Sequence, residues 1–359
     1  MVERSIKLTR WKEIILLTIL IKAILFIVTA AINQPENIVD SWVRWDGPHY
    51  VDIAKNWYQT VGDPANFIVF YPLYPILIKV TSFFTNNFNL SALVVSFVCS
   101  IASSILLYEL TKVDFGGKVA LLAVWFLNIF PTAYFLQAAY TESLFLMLSL
   151  LSIYLYRKNQ AFAGIPGFFA SFTRFNGILL IPLFLVETFR PNINLKKMKF
   201  FFIISLLTVT GSITYFLINL LVFGELFYFT NPLTNHWFKK LEWPWIGINS
   251  LINFIPFRQD SDYYIFIGEL IAIIFATILM IYTLIKIRLS YGVYMLLNLL
   301  LFTSTSFIMS TPRYLLILFP IYIALGKLNN KYLVAFISII FIILLIQLAL
   351  LYTEGKWAY

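Results

Sequence analysis

Charge is what this sequence has least of. Only 12% of its 359 residues are Asp, Glu, Lys or Arg, while 60% are apolar and the mean hydropathy is +0.84. That balance excludes a soluble globular enzyme, a disordered chain and a fibrous protein. A single cysteine, Cys99 in the apolar run LVVSFVCSIASSILL, excludes an intramolecular disulfide and a thiolate metal cluster and leaves packing as its role. Two histidines, His49 and His236, are too few for a zinc site. No glycine-rich phosphate loop precedes a helix, which argues against a nucleotide substrate. No internal repeat, low-complexity tract or linker divides the chain, so residues 1–359 read as one domain.

What is present is apolar sequence, enough for roughly ten membrane spans of about 20 residues. Segments fall near 13–32, 90–110, 118–136, 140–157, 161–174, 176–189, 199–222, 263–286, 290–309, 312–326 and 331–352, giving about 11 transmembrane segments in an all-α polytopic protein. The basic N-terminal stretch (Arg4, Lys7, Arg10, Lys12) before the first segment has the look of a secretory signal. The segment is too long for one, carries Lys22, and precedes an equally apolar chain, so it reads as the first span. The pair flanking Thr173, Arg174, Phe175, Asn176 and Gly177 is too short for two full spans, which predicts a broken or tilted helix pair around an irregular turn.

The net charge of +9 and pI near 9.4 would suit a nucleic-acid partner only if the basic residues gathered on one soluble face. With a cytoplasmic N-terminus they gather instead in cytoplasmic loops, among them Lys112, Lys118, Arg157, Lys158, Lys196, Lys197, Lys286 and Arg288. The positive-inside rule therefore accounts for the charge without nucleic acid. Two outer loops are long, 33–89 and 223–262, and must hold most of the polar chemistry. The first contains Phe70 to Phe84, which reads as a helix lying at the interface.

The most informative string is SWVRWDGPHYVDIAKNWY, residues 41–58, which packs Arg44, Trp45, Asp46, His49, Tyr50 and Asp52 together on the outer side. If a helix starts near Pro48, Asp46 is either an N-cap, which would lower its pKa and make it a poor base, or a carboxylate facing an outer cavity. Trp42, Trp45, Tyr50, Trp57 and Tyr58 suit an interfacial belt, a sugar platform, or both. In FPTAYFLQAAYTESLF, Glu142 either complements a helix N-terminus or serves a site, since a carboxylate at membrane depth is expensive. Arg174 in SFTRFNG and Arg313 in STPRYLL cannot shed their protons. Each must snorkel, pair with Glu142, or bind an anion such as a lipid phosphate. In the second outer loop, His236, Trp237, Lys239, Lys240, Trp243 and Trp245 offer stacking surface with positive charge, for interfacial anchoring or for a head group.

RWDGPHYVDIA with NWY, then FYPLYPILIK, NIFPTAYFLQAAYTESLF, FTRFNGILL and TPRYLLILFP together resemble the PIG-V family, over about residues 40–325 and in the family's order. These are integral membrane mannosyltransferases of the GT-C type, related to the second mannosyltransferase of GPI-anchor assembly. The resemblance implies a GT-C fold with a long first outer loop carrying interfacial helices. It also implies a polyprenyl- or dolichyl-phosphate-linked sugar donor, a lipid or glycan acceptor, and a site on the non-cytoplasmic face of a cell or ER membrane. It assigns Asp46 as the catalytic residue, with Arg44, Trp45, His49 and Tyr50 around it. Tyr140, Glu142, Arg174, Asn176 and Arg313 fill the other motifs and line the cavity, with His236 and Trp237 as further substrate contacts. Pro72, Tyr74 and Pro75 would be structural. Trp57 stands where the family often has glycine, a local departure. A divalent metal bridging the phosphate is compatible with this assignment, though the chain shows no dedicated ligand cluster.

Rival readings are a GT-C transferase for another sugar, a transporter or flippase of lipid-linked saccharide, and a scaffold subunit of a separate transferase. A transporter would spread its buried charges across both halves of the bilayer. Here, cytoplasmic ends aside, they sit in outer halves, with Lys22 the exception.

Overall fold

The computed structural model describes residues 2–190, 194–254 and 262–359, with side chains from residue 9 onward and, after the second gap, from residue 264. The side chains of Arg4 and Lys7 in the basic N-terminal stretch, and residues 255–261 of the second outer loop, lie outside the described residues. Apart from one isolated antiparallel bridge, Leu241 with Thr305, the described secondary structure is helical. The first helix, α1 (Val2–Asn33), is followed by α2 (Ile38–Ser41), α3 (Gly47–Asn56), α4 (Leu73–Thr85) and α5 (Phe88–Ile129). Then come α6 (Glu142–Arg157), α7 (Gly164–Ser171), α8 (Leu180–Thr188), α9 (Leu195–Phe223), α10 (Thr230–Asn235) and α11 (Pro244–Phe254). The remaining elements are α12 (Asp262–Tyr282), α13 (Leu289–Thr303), α14 (Thr311–Leu315), α15 (Pro320–Gly326) and α16 (Lys331–Glu354).

Five described helices are long and apolar enough to cross a membrane: Thr9–Asn33, Phe88–Ile129, Leu195–Phe223, Tyr264–Ile287 and Lys331–Glu354. The shortest of them, at 24 residues, reaches about 36 Å against a hydrocarbon core of about 30 Å. Their outward faces are apolar at helical spacing. On α1, Leu16, Leu20, Ile24 and Ile27 are exposed, as are Phe336, Ile339 and Ile343 on α16, a pattern that only lipid makes favourable.

The other five expected segments are shorter helical pieces. They are interrupted where the sequence supplies proline or runs of polar groups, at Pro131 and Thr132, at Thr173 and Arg174, and from Ser304 to Ser310. Two segments expected separately, 90–110 and 118–136, join as α5, but Gly116 adopts φ 79° and ψ 171° inside it and the chain turns back there. Asn128 Nδ2 donates to Ser104 Oγ at 3.1 Å, and Tyr108 packs with Ala120 and Val124. A straight helix would hold residues 104 and 128 about 36 Å apart.

Small residues bring the broken pair into place. A Cβ at Gly211 on α9 would stand 2.1 Å from the Phe168 carbonyl oxygen on α7, and one at Gly167 would stand 2.3 Å from Thr208 Oγ1. Backbones can approach this closely only without side chains. Gly177 does the same for the turn: a Cβ there would stand 2.3 Å from the Ser171 nitrogen. The 3₁₀ helix Phe175–Leu179 therefore folds tightly onto the end of α7, and Arg174 emerges between them.

The first long loop is fixed from below by Trp42, fully buried and stacked on Phe26 at 6.0 Å between ring centroids. Its carbonyl accepts from the Ala139 N–H and the Tyr352 hydroxyl, both at 3.2 Å. Tyr74, also fully buried, donates to the Ala92 carbonyl at 2.9 Å and ties α4 to α5. The opposite side of α4 exposes Val80, Phe83 and Phe84, which suits a helix lying on lipid.

Candidate functional site

Asp46 opens α3 but does not cap it: its side chain makes no bond to the helix N-terminus. The carboxylate turns away, and Oδ2 accepts from Arg313 Nη1 at 2.8 Å, leaving the side chain 26% exposed to a cavity. The residue before it, Trp45, is held in the left-handed region at φ 54°, a conformation costing of order 1–3 kcal/mol that surrounding structure must fix. Tyr140 supplies that fixing. Its hydroxyl donates to the Arg44 carbonyl at 3.2 Å and accepts from the Asp46 N–H at 3.1 Å.

The cavity encloses about 470 Å³ and is lined by residues from 45–50, 69–71, 140–142, 173–176, 233–239, 307–314 and 352–359. Glu142, the first residue of α6 and 1% exposed, accepts from Arg174 Nη1 at 2.8 Å through Oε1. Arg174 Nη1 also reaches Thr141 Oγ1 at 2.9 Å. The same Oε1 stands 3.5 Å from Arg313 Nε, while Glu142 Oε2 is buried with no hydrogen-bond partner. From the second long loop Lys239 Nζ donates to the Tyr314 hydroxyl at 3.1 Å. Arg174, Arg313 and Lys239 all lie over the Tyr314 ring, 5.2 to 5.6 Å from its centroid. Three cations thus face two carboxylates, an excess of one positive charge in a water-accessible hollow. Anions carrying several acceptor oxygens suit such a hollow best.

Aromatic rings form the remaining wall. His49 packs on Phe67 at 4.2 Å and Phe70 at 5.3 Å, with the edge of Trp237 at 6.3 Å. Burial holds the His49 imidazole below its ordinary value, against the upward pull of Asp46. Tyr50 packs edge-on to Phe70 and Tyr74. Trp45 meets Trp357 edge to face at 5.1 Å, so residues near position 357 close one side of the cavity.

Of the residues expected at the site, Asp46, Trp45, His49, Tyr50, Tyr140, Glu142, Arg174, Asn176, Trp237 and Arg313 line this one cavity. Asn176 is held there by donating to Asn298 Oδ1 at 2.7 Å. Arg44 and His236 are not part of it. Arg44 Nη2 turns outward to the Thr353 carbonyl at 3.3 Å, where the last turn of α16 offers unpaired carbonyls. His236 is exposed and meets Asn66 and Asp63 on the loop surface. Its neighbour Trp237 takes the inward position.

Tyr314, Tyr352 and Glu269 were not singled out by the sequence. Glu269 stands alone in an otherwise apolar stretch of α12, which was the available signal. Fully buried, it accepts from the Ser310 N–H at 2.6 Å and the Thr311 N–H at 2.8 Å and so fixes the turn that aims Arg313. Among the described residues no three His, Cys, Asp or Glu side chains stand together, and both cavity carboxylates are engaged by arginines. That donor set does not fit a metal ion.

No family model matches the chain. GPI mannosyltransferase 2 of Schizosaccharomyces pombe (strain 972 / ATCC 24843) is 32% identical over 143 residues, 38% of this chain and 30% of that protein. Among solved structures, ArnT from Cupriavidus metallidurans bound to undecaprenyl phosphate superposes with a TM-score of 0.56 at 14% identity, covering 90% of this chain and 62% of that one. The apo oligosaccharyltransferase of Archaeoglobus fulgidus gives 0.51 at 11% identity, covering 95% and 56%. The chain spans less than two thirds of the length of each of these proteins. The fold is the GT-C fold, and the resemblance to PIG-V proteins read from the motifs agrees with the partial match to a GPI mannosyltransferase.

Proposed function

We propose that the chain is a glycosyltransferase that moves a mannose, or another hexose, from a polyprenyl- or dolichyl-phosphate-linked donor to a lipid- or glycan-linked acceptor. The reading rests on the GT-C fold, on the partial likeness to a GPI mannosyltransferase, and above all on one observation. A carboxylate with one oxygen engaged and a side chain open to the cavity stands beside an excess of guanidinium and ammonium groups. The gathering of Lys and Arg on the N-terminal side supports a non-cytoplasmic face for the Asp46 end, with the N-terminus cytoplasmic.

In this mechanism Arg313, Arg174 and Lys239 hold the donor phosphate. As Arg313 engages the phosphate, its hold on Asp46 Oδ2 loosens and the carboxylate becomes the stronger base. Asp46 takes the proton of the acceptor hydroxyl while that oxygen attacks the anomeric carbon from the face opposite the phosphate. The bond from the anomeric carbon to the phosphate oxygen breaks, its electrons leave with the polyprenyl phosphate, and the glycoside is inverted. The cations meet negative charge as it develops on the leaving group, the moment at which stabilisation accelerates the reaction. Trp45, Trp237 and Tyr50 offer flat faces and polar tips to the sugar. Glu142 sets the spacing of the two arginines through Oε1, and its unpartnered Oε2 is left for the substrate.

The test is transfer from radiolabelled polyprenyl-phosphate-mannose to membrane lipids and glycans of the protein's own source. Asp46→Asn is expected to lose about 10²- to 10⁴-fold in rate. An Asp46→Asn protein that folds and transfers at the wild-type rate overturns the base assignment.

A further inference from the structure

A second cavity, about 340 Å³, lies between α1, α2 and the start of α5, behind the loop that carries Asp46. Its walls are apolar: Ile19, Phe26, Ile27, Leu90, Leu93 and Phe97 line it. Three polar side chains line it too: Lys22 and Trp42, which only donate, and Gln137, whose amide both donates and accepts. Lys22 is 4% exposed, Trp42 0% and Gln137 7%. Trp42 Nε1 and Gln137 Nε2 are buried without a hydrogen-bond partner. Lys22 makes no ion pair or hydrogen bond among the described residues, and no Asp or Glu lines the cavity.

Each buried donor left unmet carries its desolvation penalty in full, and an ammonium at membrane depth carries the most. Three of them in one groove, with no carboxylate among the lining residues, define the missing partner. It must bring acceptor oxygens and negative charge. The rest of the groove adds an apolar body. Its rim is formed by Ile27 on α1 and by Leu90 and Val94 on α5, all exposed on the faces these helices turn outward, so access is from the side, through lipid. Water would satisfy the hydrogen bonds but not the charge, and a small soluble anion would leave the apolar walls unfilled.

We propose that this groove binds an anionic lipid, its head oxygens accepting from Lys22, Trp42 and Gln137 and its chain lying between α1 and α5. The site is separate from the Asp46 cavity and does not rest on the function proposed above. It touches that cavity's supports. Trp42 lies four residues before Asp46, Gln137 three before Tyr140, and the Ala139 N–H donates to the Trp42 carbonyl. A bound lipid braces the two segments that position the carboxylate.

The experiment is native mass spectrometry of the purified full chain with phosphatidylglycerol, phosphatidylcholine or oleate titrated separately. Wild type is compared with Lys22→Met and Trp42→Phe, the latter keeping a ring on Phe26 while removing the donor. Wild type is expected to retain one phosphatidylglycerol in preference to phosphatidylcholine. Lys22→Met should lose that preference, and Trp42→Phe should bind phosphatidylglycerol about tenfold more weakly. If oleate alone shows the same dependence on Lys22, the occupant is a carboxylate lipid and the assignment of an anionic lipid stands. Equal retention of phosphatidylglycerol and phosphatidylcholine by wild type, with no oleate bound, overturns the proposal. So does an anionic preference unchanged in both variants, because the binding would then lie elsewhere.

Discussion

Two networks of two arginines and two carboxylates stand at opposite ends of the first arm of α5, and they are built differently. At the Asp114 end, Arg157 holds Asp114 with two parallel bonds of 2.6 and 2.5 Å, and Arg288 holds Glu187 with two of 2.6 Å. Arg288 Nη1 also reaches Asp114 at 3.2 Å, Arg157 reaches the Tyr291 hydroxyl, and Ser290 donates to Glu187. At the Asp46 end the pairs Arg313 with Asp46 and Arg174 with Glu142 share one short bond each, and Glu142 Oε2 and Arg313 Nε form none. None of the four residues at the Asp114 end lines either cavity described above, whereas all four at the Asp46 end line the larger one. A saturated network has no bonding capacity left for a ligand and serves to lock helices. An undersaturated one beside a cavity keeps that capacity for something that binds.

Substitution separates the two. Asp114→Asn strands Arg157 and weakens Arg288, so it should cost about 3–5 kcal/mol of stability while leaving transfer per folded molecule unchanged. Asp46→Asn should do the reverse, costing no more than about 1 kcal/mol because the pair is partly exposed and singly bonded, while lowering transfer by about 10²- to 10⁴-fold. Thermal unfolding in detergent, read alongside the transfer assay, decides the matter. If Asp46→Asn unfolds as readily as Asp114→Asn, the two networks are alike and the contrast fails.

Paired replacement sharpens it. Asp114→Leu with Arg157→Met should recover most of the stability lost by Asp114→Asn, because a well-packed apolar pair replaces a buried ion pair at little cost. Asp46→Leu with Arg313→Met should recover no activity at all. Smaller again is Glu269→Gln. The amide keeps one acceptor oxygen for the Ser310 and Thr311 N–H groups in place of two, a loss of about 1–2 kcal/mol. The turn that aims Arg313 then loosens, so KM for the donor should rise more than kcat falls. A fall in kcat with KM unchanged would remove Glu269 from the positioning role.

Local pattern carried the helices and most of the site. The apolar runs located the spans, the TRFNG string located the broken pair, and Asp46, Glu142, Arg174 and Arg313 each stood out as charge where charge is expensive. Pairing was not legible. Asp114, Glu187, Arg157 and Arg288 read singly as ordinary charges near cytoplasmic ends, and only the fold brings residues 43 to 174 positions apart into contact. Arg44 and His236, from the same strings, do not line the cavity and pair instead with the Thr353 carbonyl and with Asn66 and Asp63. Which of two adjacent loop residues points inward, His236 or Trp237, depends on a loop conformation with no periodicity to reveal it.

The mildest probe of the comparison is pH. His49 belongs to the Asp46 end, and burial against Phe67 and Phe70 holds its pKa below the ordinary 6.5, so the folded state binds a proton less readily than the unfolded chain. The stability this contributes is complete above about pH 6.5 and is lost as pH falls through the depressed value. His49→Phe keeps the ring stack without the titration, so its unfolding temperature should decline less steeply than that of wild type below pH 6.5, and the two curves should run parallel above it. In an Asp114→Asn background the same difference should persist unchanged, because the saturated network contains no histidine and its arginines stay protonated throughout. Parallel curves across the whole range would mean that His49 is already accommodated as a cation, and that Asp46 exerts a stronger pull on it than the aromatic wall resists.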